Sequence, residues 1–492
     1  MKRRDFLKMS GTLSVQSLVG GTSFLSAMSV RKAEAQTGSP LAALQRALDA
    51  ATDGLILPGN AQFANYNTSF NKRTQLAPQV RVVAGSAQAV QTAVNWAVNN
   101  GVPFAMRSGG HSYEGYSQSP SMVIDSRGMR SITVDAKNMQ ATIGSGMALG
   151  KVYEALAPYG LALPAGSCFY VGVAGHSLGG GFGLLSRPLG LACDNIISLK
   201  MVDATGNLLT ASATENPDLF WAMRGGGNGN FGIVTEFTFR TPEVPTVSDF
   251  GITWVRPVDQ AVTLALHIQD WLADLAPAVT CTVHFTKDPG GINVHIAGQS
   301  TGTETLLKAE LDRLQKSAGK PNTVYTATRK FIDSARIFTG GEAAYESIFM
   351  KAKSDYVVEP MSAEGFTTLM QGLIKSPVAI TALCDSYGGQ INKVAVGDTA
   401  FVHRGDTRYS IQYYTQWTDA KDTDRYLAAI RELYQDMREY VSGGSYVNYC
   451  DLDLKPEEYG NAYWGENYPR LRQLKAKYDP KGIFQHVQGI LA

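Results

Sequence analysis

The sequence predicts an α+β protein of two domains, one organised around paired glycine-rich loops and the other around a large antiparallel sheet backed by helices. Three observations lead there. The chain has 492 residues, more than one ordinary hydrophobic core accommodates. A β-α-β unit over residues 80–107 runs directly into Arg107-Ser108-Gly109-Gly110-His111, and a second glycine cluster follows between 172 and 181. Past the proline-rich boundary Thr241-Pro242-Glu243-Val244-Pro245, strands and long helices come in separate runs, as in an α+β domain.

Periodicity places the elements in order. Residues 41–52 pattern as an amphipathic helix, 80–83 as a strand, 86–99 as a helix and 103–107 as the strand that delivers His111. Short strands follow at 122–125, 132–135 and 140–143, then a helix over 149–157. A hairpin turns about Ala204-Thr205-Gly206 between strands 201–203 and 207–210, a short helix covers 217–222, and 233–240 alternates as a strand. In the second domain, strands are expected at 251–255, 280–285, 292–299, 378–384 and 409–417, with helices at 259–273, 303–317 and 419–441. The domains so drawn are 36–240, 241–440 and a segment 441–492 that returns to the first.

Composition excludes several classes. Formal charge is +1, so nothing electrostatic favours nucleic acid or an anionic membrane as a partner. Residues 1–35 have the layout of an export signal: Arg3-Arg4-Asp5-Phe6-Leu7-Lys8 is a twin-arginine signature, and Ala33-Glu34-Ala35 is a cleavage site after a weakly apolar run. That run is too short and too polar for a stable membrane anchor. The twin-arginine machinery carries folded proteins, so a periplasmic or secreted location is expected. The five cysteines are an odd number, which leaves one without a disulfide partner, and the absence of a C-x-x-C pair argues against structural zinc; no metal site is expected.

Glycines at the density of 107–115 and 165–195 let consecutive backbone N–H groups approach a phosphate or a flat ring closely. Each stretch carries one nucleophile, His111 in the first and Cys168 in the second. Three other patterns are decoys. Gly175-His176-Ser177-Leu178-Gly179 has the G-x-S-x-G form of a hydrolase elbow, which would make Ser177 a nucleophile; but that elbow must enter a helix, and here Gly179-Gly180-Gly181 follow, each costing about 1 kcal/mol in a helix. Gly227-x-Gly229-x-x-Gly232 is a formal dinucleotide fingerprint, yet an alternating strand comes after it instead of a helix. Gly144-x-Gly146 has the wrong spacing to the next glycine and is a tight turn.

The segments R-S-G-G-H-S-Y-E-G at 107–115 and C-F-Y-V-G-V-A-G-H-S-L-G-G-G at 168–181 resemble the flavin-attachment motifs of berberine bridge enzyme-like oxidases, a branch of the vanillyl-alcohol-oxidase flavoproteins. Y-V-N-Y-C-D-L-D at 446–453 and the closing W-G-E-N-Y-P-R-L are similar to that family too. The resemblance implies the family's two-domain fold and an FAD bonded covalently to His111 and Cys168. It places Arg107, Ser108, Gly109, Gly110 and Ser112 in one cofactor loop, and Val171, Gly172, Gly175, His176, Gly179 and Gly180 in the other. Gly232, Ile233, Val234 and Asn448 are expected against the cofactor as well. Among the family's oligosaccharide oxidases a tyrosine in the motif at 446–453 is the base, matched here by Tyr449. Asp385 is the candidate partner that would favour its phenolate, and Gln412 a further active-site polar group. Phe182 and Val447 replace tyrosines of several plant relatives. Val171, at the position that governs oxygen access in the family, implies an oxidase using dioxygen. The function so implied is oxidation of an alcohol or sugar hemiacetal, with a tailoring oxidase of secondary metabolites as the alternative.

Overall fold

Three sheets organise the chain in the computed structural model, which describes residues 40–49, 53–339 and 347–492. The expected signal segment, 1–35, and residues 50–52 of the first expected helix lie outside the described residues; that helix is observed over Pro40–Ala47.

The first sheet has four strands. Gly54–Ile56 pairs antiparallel with Val80–Val83, which runs parallel to Met122–Asp125, itself parallel to Phe104–Arg107. Val82, Met122 and Ile124 share a core with helix Ala87–Asn99, which buries Ala89, Val90, Ala93, Val94 and Ala97 along one stripe. Ser86 caps that helix by accepting from the Ala89 N–H at 3.1 Å. Because the strands are parallel, the loop after Arg107 leaves from the carboxyl end of the sheet, where such sheets bind ligands.

The second sheet is five antiparallel strands in the order Ile132–Asp135, Gln140–Gly144, Ile233–Arg240, Ile196–Val202 and Leu208–Ser212. The expected strand at 201–203 thus starts at Ile196, because Ile196 and Leu199 are buried opposite Phe239 and Phe237.

The third sheet has seven antiparallel strands in the order Thr323–Lys330, Thr246–Arg256, Gly291–Ser300, Val279–Asp288, Thr381–Ser386, Tyr409–Trp417 and Phe349–Val357. Four of the five expected strands sit inside it, three of them longer than the pattern suggested; the one expected at 378–384 is shifted to Thr381–Ser386, and the two edge strands are not expected from the sequence. Helices Val258–Ala273, Glu304–Ala318, Ala363–Lys375 and Thr423–Asp436 pack on the face that carries Trp254, Val283, Phe285, Val294 and Ile411. The helix expected over 419–441 is therefore shorter, flanked by 3₁₀ turns at Ala420–Asp422 and Arg438–Tyr440. Asp419 starts the first turn by accepting from the Lys421 N–H at 3.0 Å. The other face of this sheet is not covered by those helices and carries Thr282, His284, Asp385 and Gln412.

The final segment folds back across the first two sheets. Gln488 Nε2 donates to the Asp451 carbonyl at 2.8 Å while its Oε1 accepts from Tyr116 and Tyr463, and Lys475 Nζ donates to the Asn230 and Phe484 carbonyls at 2.6 Å each.

Candidate functional site

A cavity is walled by the end of strand Phe104–Arg107 and its loop, by residues 168–178, by the start of strand Ile233–Arg240 and by the return segment at 447–450. Arg107, Ser108, Gly109, Gly110, His111 and Ser112 line one side. Cys168, Val171, Gly172, Gly175 and His176 line a second, and Gly232, Ile233, Val234, Asn448 and Tyr449 complete it. Residues far apart in sequence, chosen on local pattern, thus meet around one space.

The two glycine loops touch because neither carries a side chain at the contact. A Cβ on Gly109 would stand 2.2 Å from the Gly172 nitrogen, and one on Gly172 would stand 2.2 Å from that of Gly109. Charge pins the strand end behind them. Asp125 is fully buried and receives Arg81 at 2.8 Å and Arg127 at 2.6 Å, with Arg107 at 3.9 Å; Arg107 also donates to the Thr68 carbonyl at 2.5 Å. Burial alone would raise the Asp125 carboxyl, but the three guanidiniums outweigh it and hold it below the usual range.

His111 stacks on Phe70 with centroids 4.4 Å apart. Burial, and then Arg107, lower its pKa to about 3, so at neutral pH it is an uncharged imidazole with a nucleophilic nitrogen. Cys168 is exposed, and the other four cysteines are buried free thiols. His176 is committed to the backbone: its Nε2 accepts from the Gly166 N–H at 2.8 Å, and burial lowers its pKa to about 4.

Asn448 is a three-way tie. Its amide donates to the His176 carbonyl at 3.0 Å and to the Tyr446 hydroxyl at 2.8 Å, and its Oδ1 accepts from Asn228 at 3.0 Å. Two expected cofactor residues behave differently. Gly179 and Gly180 do not line the cavity; Gly179 abuts Asn448, where a Cβ would stand 2.1 Å from Oδ1, and Gly180 lies against Phe401. They seat the return segment.

Tyr449 lies parallel to Tyr113, with centroids 5.6 Å apart, and edge-on to Tyr446. Its pKa is raised well above 10 by burial and then by the negative charge of Asp385. The expectation that Asp385 favours the phenolate is thereby reversed. Asp385 does not line the cavity; its carboxylate accepts from Thr282 at 2.9 Å and from Ser410 at 3.5 Å, and burial pushes it up to about 6. Gln412 is also off the cavity wall, donating to the Tyr113 hydroxyl at 3.2 Å. Tyr113 and Tyr116, which line the cavity, were missed although they follow His111 at two and five residues; Phe70 and His486 had no sequence signal, since they arrive from distant segments.

The decoys resolve in structural terms. Ser177 is fully buried at the end of the short helix Val173–Leu178, off the cavity, with no hydrogen-bond partner for its Oγ among the described residues. The glycine pattern at 227–232 leads into strand Ile233–Arg240, not a helix.

The residues present fit FAD. Apolar walls from Met106, Val171, Ala174 and Leu178 suit a flat ring system, two nucleophiles reach the same space, and Asn228 Oδ1 is a buried acceptor at the cavity with no donor among the described residues. Fold and cavity together define a two-domain FAD-dependent oxidoreductase.

Comparison with known proteins gives the particular family. A model described as FAD binding domain matches residues 78–212, and one described as berberine and berberine like matches residues 445–491. An uncharacterised FAD-linked oxidoreductase of Bacillus subtilis (strain 168) is 34% identical over 448 residues, covering 89% of this chain and 97% of the relative. The monolignol oxidoreductase of Arabidopsis thaliana is 32% identical over 439 residues, covering 82% and 81%. The solved structure of BBE-like 1 from Physcomitrella patens superposes with a TM-score of 0.85 at 29% identity, over 92% of this chain and 99% of that one. The chain belongs to the berberine bridge enzyme-like family of FAD-linked oxidoreductases.

Proposed function

We propose that the protein is an exported oxidase with FAD bonded to both His111 and Cys168, and that it oxidises a sugar hemiacetal, within an oligosaccharide, to the lactone. The observation that carries this reading is the meeting of His111, Cys168 and Tyr449 on the wall of one cavity. When bound, FAD supplies the two-electron acceptor that takes hydride from the substrate carbon and hands the electrons to dioxygen, giving hydrogen peroxide. Tyr449 takes the proton of the substrate hydroxyl. Its phenol is neutral at rest, so it accepts that proton only as it releases its own; Asp385, charged above about pH 6 and near enough for its charge to act on the phenol, is the carboxylate assigned to receive it. Export follows from the twin-arginine layout of residues 1–35.

The carbohydrate preference is supported by the part of the seven-stranded sheet's other face that stays partly accessible. Thr253, Thr282, His284, Asn293, His295 and Tyr414 stand there part-exposed, a set of hydroxyl, imidazole and amide groups suited to a polyhydroxylated ligand. A tailoring oxidase acting on an aromatic metabolite is the second reading, favoured by the Tyr113–Tyr449 stack. Peroxide release from cellobiose, maltose, lactose and chitobiose, set against coniferyl alcohol, separates the two. Turnover of the alcohol with none of the sugars would overturn the carbohydrate reading.

A further inference from the structure

The buried charges beside the cavity join its two halves through one side chain. Lys351, on the edge strand Phe349–Val357, has a side chain 2% exposed, and its Nζ lies 2.5 Å from Glu114 Oε1 and 2.5 Å from Asp451 Oδ1. Glu114 stands three residues after His111, and Asp451 two residues after Tyr449. Both carboxylates are 1% exposed, so a single ammonium couples the loop of the expected flavin anchor to the segment of the expected proton acceptor. Neighbours complete the charge balance. Lys353 binds Asp451 at 2.7 Å and Asp453 at 2.8 Å, Arg73 holds the second Glu114 oxygen at 2.7 Å, and Arg431 holds Asp453 at 2.7 Å. Burial alone would lower the Lys351 pKa, yet Asp451 and Glu114 outweigh it and keep the ammonium charged.

We propose that Lys351 is a positioning residue for this site: its ammonium, shared between Glu114 and Asp451, fixes the spacing between the His111 loop and the Tyr449 segment and so sets where the phenol stands during substrate oxidation. Without it Glu114 keeps Arg73 and Asp451 keeps Lys353, but no charge lies between the two buried carboxylates, and their repulsion in a medium of low polarity loosens the junction. The Tyr113–Tyr449 stack joins the same two segments and moves with them. The proposal rests on Tyr449 as proton acceptor.

The test is a double-mutant cycle of Lys351→Met and Tyr449→Phe in covalently loaded holoenzyme, with flavin reduction followed in single turnover by the panel sugar that reduces it fastest. A displacement of the order of 1 Å at a reacting group costs up to about 10²-fold. Lys351→Met alone should slow reduction at least about 10-fold while the substrate dissociation constant changes less than about 3-fold. In the Tyr449→Phe background the same change should add less than about 2-fold, because the group being positioned is gone. Equal factors in both backgrounds would overturn the proposal, as would a rise in the dissociation constant that accounts for the whole loss. Parental reduction in Tyr449→Phe alone identifies the failure as that of the Tyr449 reading itself. If Lys351→Met does not fold, Glu114→Gln breaks the same bridge and should give the same non-additive signature; parental rates in that variant overturn the proposal.

Discussion

Tyr113 and Tyr449 lie face to face, ring centroids 5.6 Å apart and planes within 3°, so the His111 loop and the return segment meet through two phenol rings. Gln412, from the third sheet, holds the Tyr113 hydroxyl at 3.2 Å and so reaches the cavity only through that stack.

Loss of this one hydrogen bond is worth about 0.5–1.5 kcal/mol, or roughly 2- to 10-fold in a rate that depends on it. Gln412→Leu should therefore slow single-turnover flavin reduction by that factor. Tyr449→Phe, which removes the proposed proton acceptor, should slow it by at least about 10²-fold. Equal losses in the two variants would make Gln412 a group that touches substrate directly.

Under the proposed function, Asp385 sets the pH dependence of flavin reduction. Burial raises its pKa to about 6, so the carboxyl is protonated below that pH and charged above it. A group that must receive a proton works only in its charged form, hence flavin reduction should rise with pH through about 6 and level off. Asp385→Asn should abolish this acidic limb along with most of the rate. Stopped-flow reduction between pH 4.5 and 8.5 measures it, and an unchanged limb in the variant would assign the ionisation elsewhere.

Gly179 should tolerate no side chain. A Cβ there would stand 2.1 Å from Asn448 Oδ1, on an amide already tied to His176, Tyr446 and Asn228. Gly179→Ala should destabilise by about 1–3 kcal/mol, the usual cost of overpacking, and reduce the fraction of protein carrying flavin. Thermal melting and in-gel flavin fluorescence read both. A parental melting temperature with full loading would mean that the return segment shifts freely.

The glycine loops were legible because their signal is local: an attachment motif keeps its order in the sequence whatever surrounds it. The two edge strands of the third sheet were not. Thr323–Lys330 is mostly exposed, with Tyr325 51% accessible, so it lacks the apolar run by which a buried strand is recognised. Phe349–Val357 carries Lys351, Lys353 and Asp355, which pattern as solvated surface; all three are buried because Glu114, Asp451 and Arg438 meet them from segments far along the chain. Asp385 is legible as an ionisable group near the site, but the sign of its effect on Tyr449 is not, since it depends on burial and on which hydroxyls hold the carboxylate.

Val171 lines the cavity at the position that the family resemblance links to oxygen access. Val171→Leu adds one methylene there, so flavin reoxidation by dioxygen should slow while anaerobic reduction by substrate changes little. Rapid mixing of reduced enzyme with aerated buffer measures the first half, and anaerobic stopped flow the second. Equal slowing of both would show that the substitution distorts the cavity as a whole.

The double attachment of FAD is tested most directly by peptide mass spectrometry on acid-precipitated protein. Native protein should yield one flavin linking the peptides of His111 and Cys168. His111→Ala should leave flavin on the Cys168 peptide alone, Cys168→Ala should leave it on the His111 peptide alone, and the double variant should release it entirely into the acid supernatant. Flavin found free in the supernatant of the native protein, or absent from both peptides after loss of Cys168 alone, would contradict the double anchor.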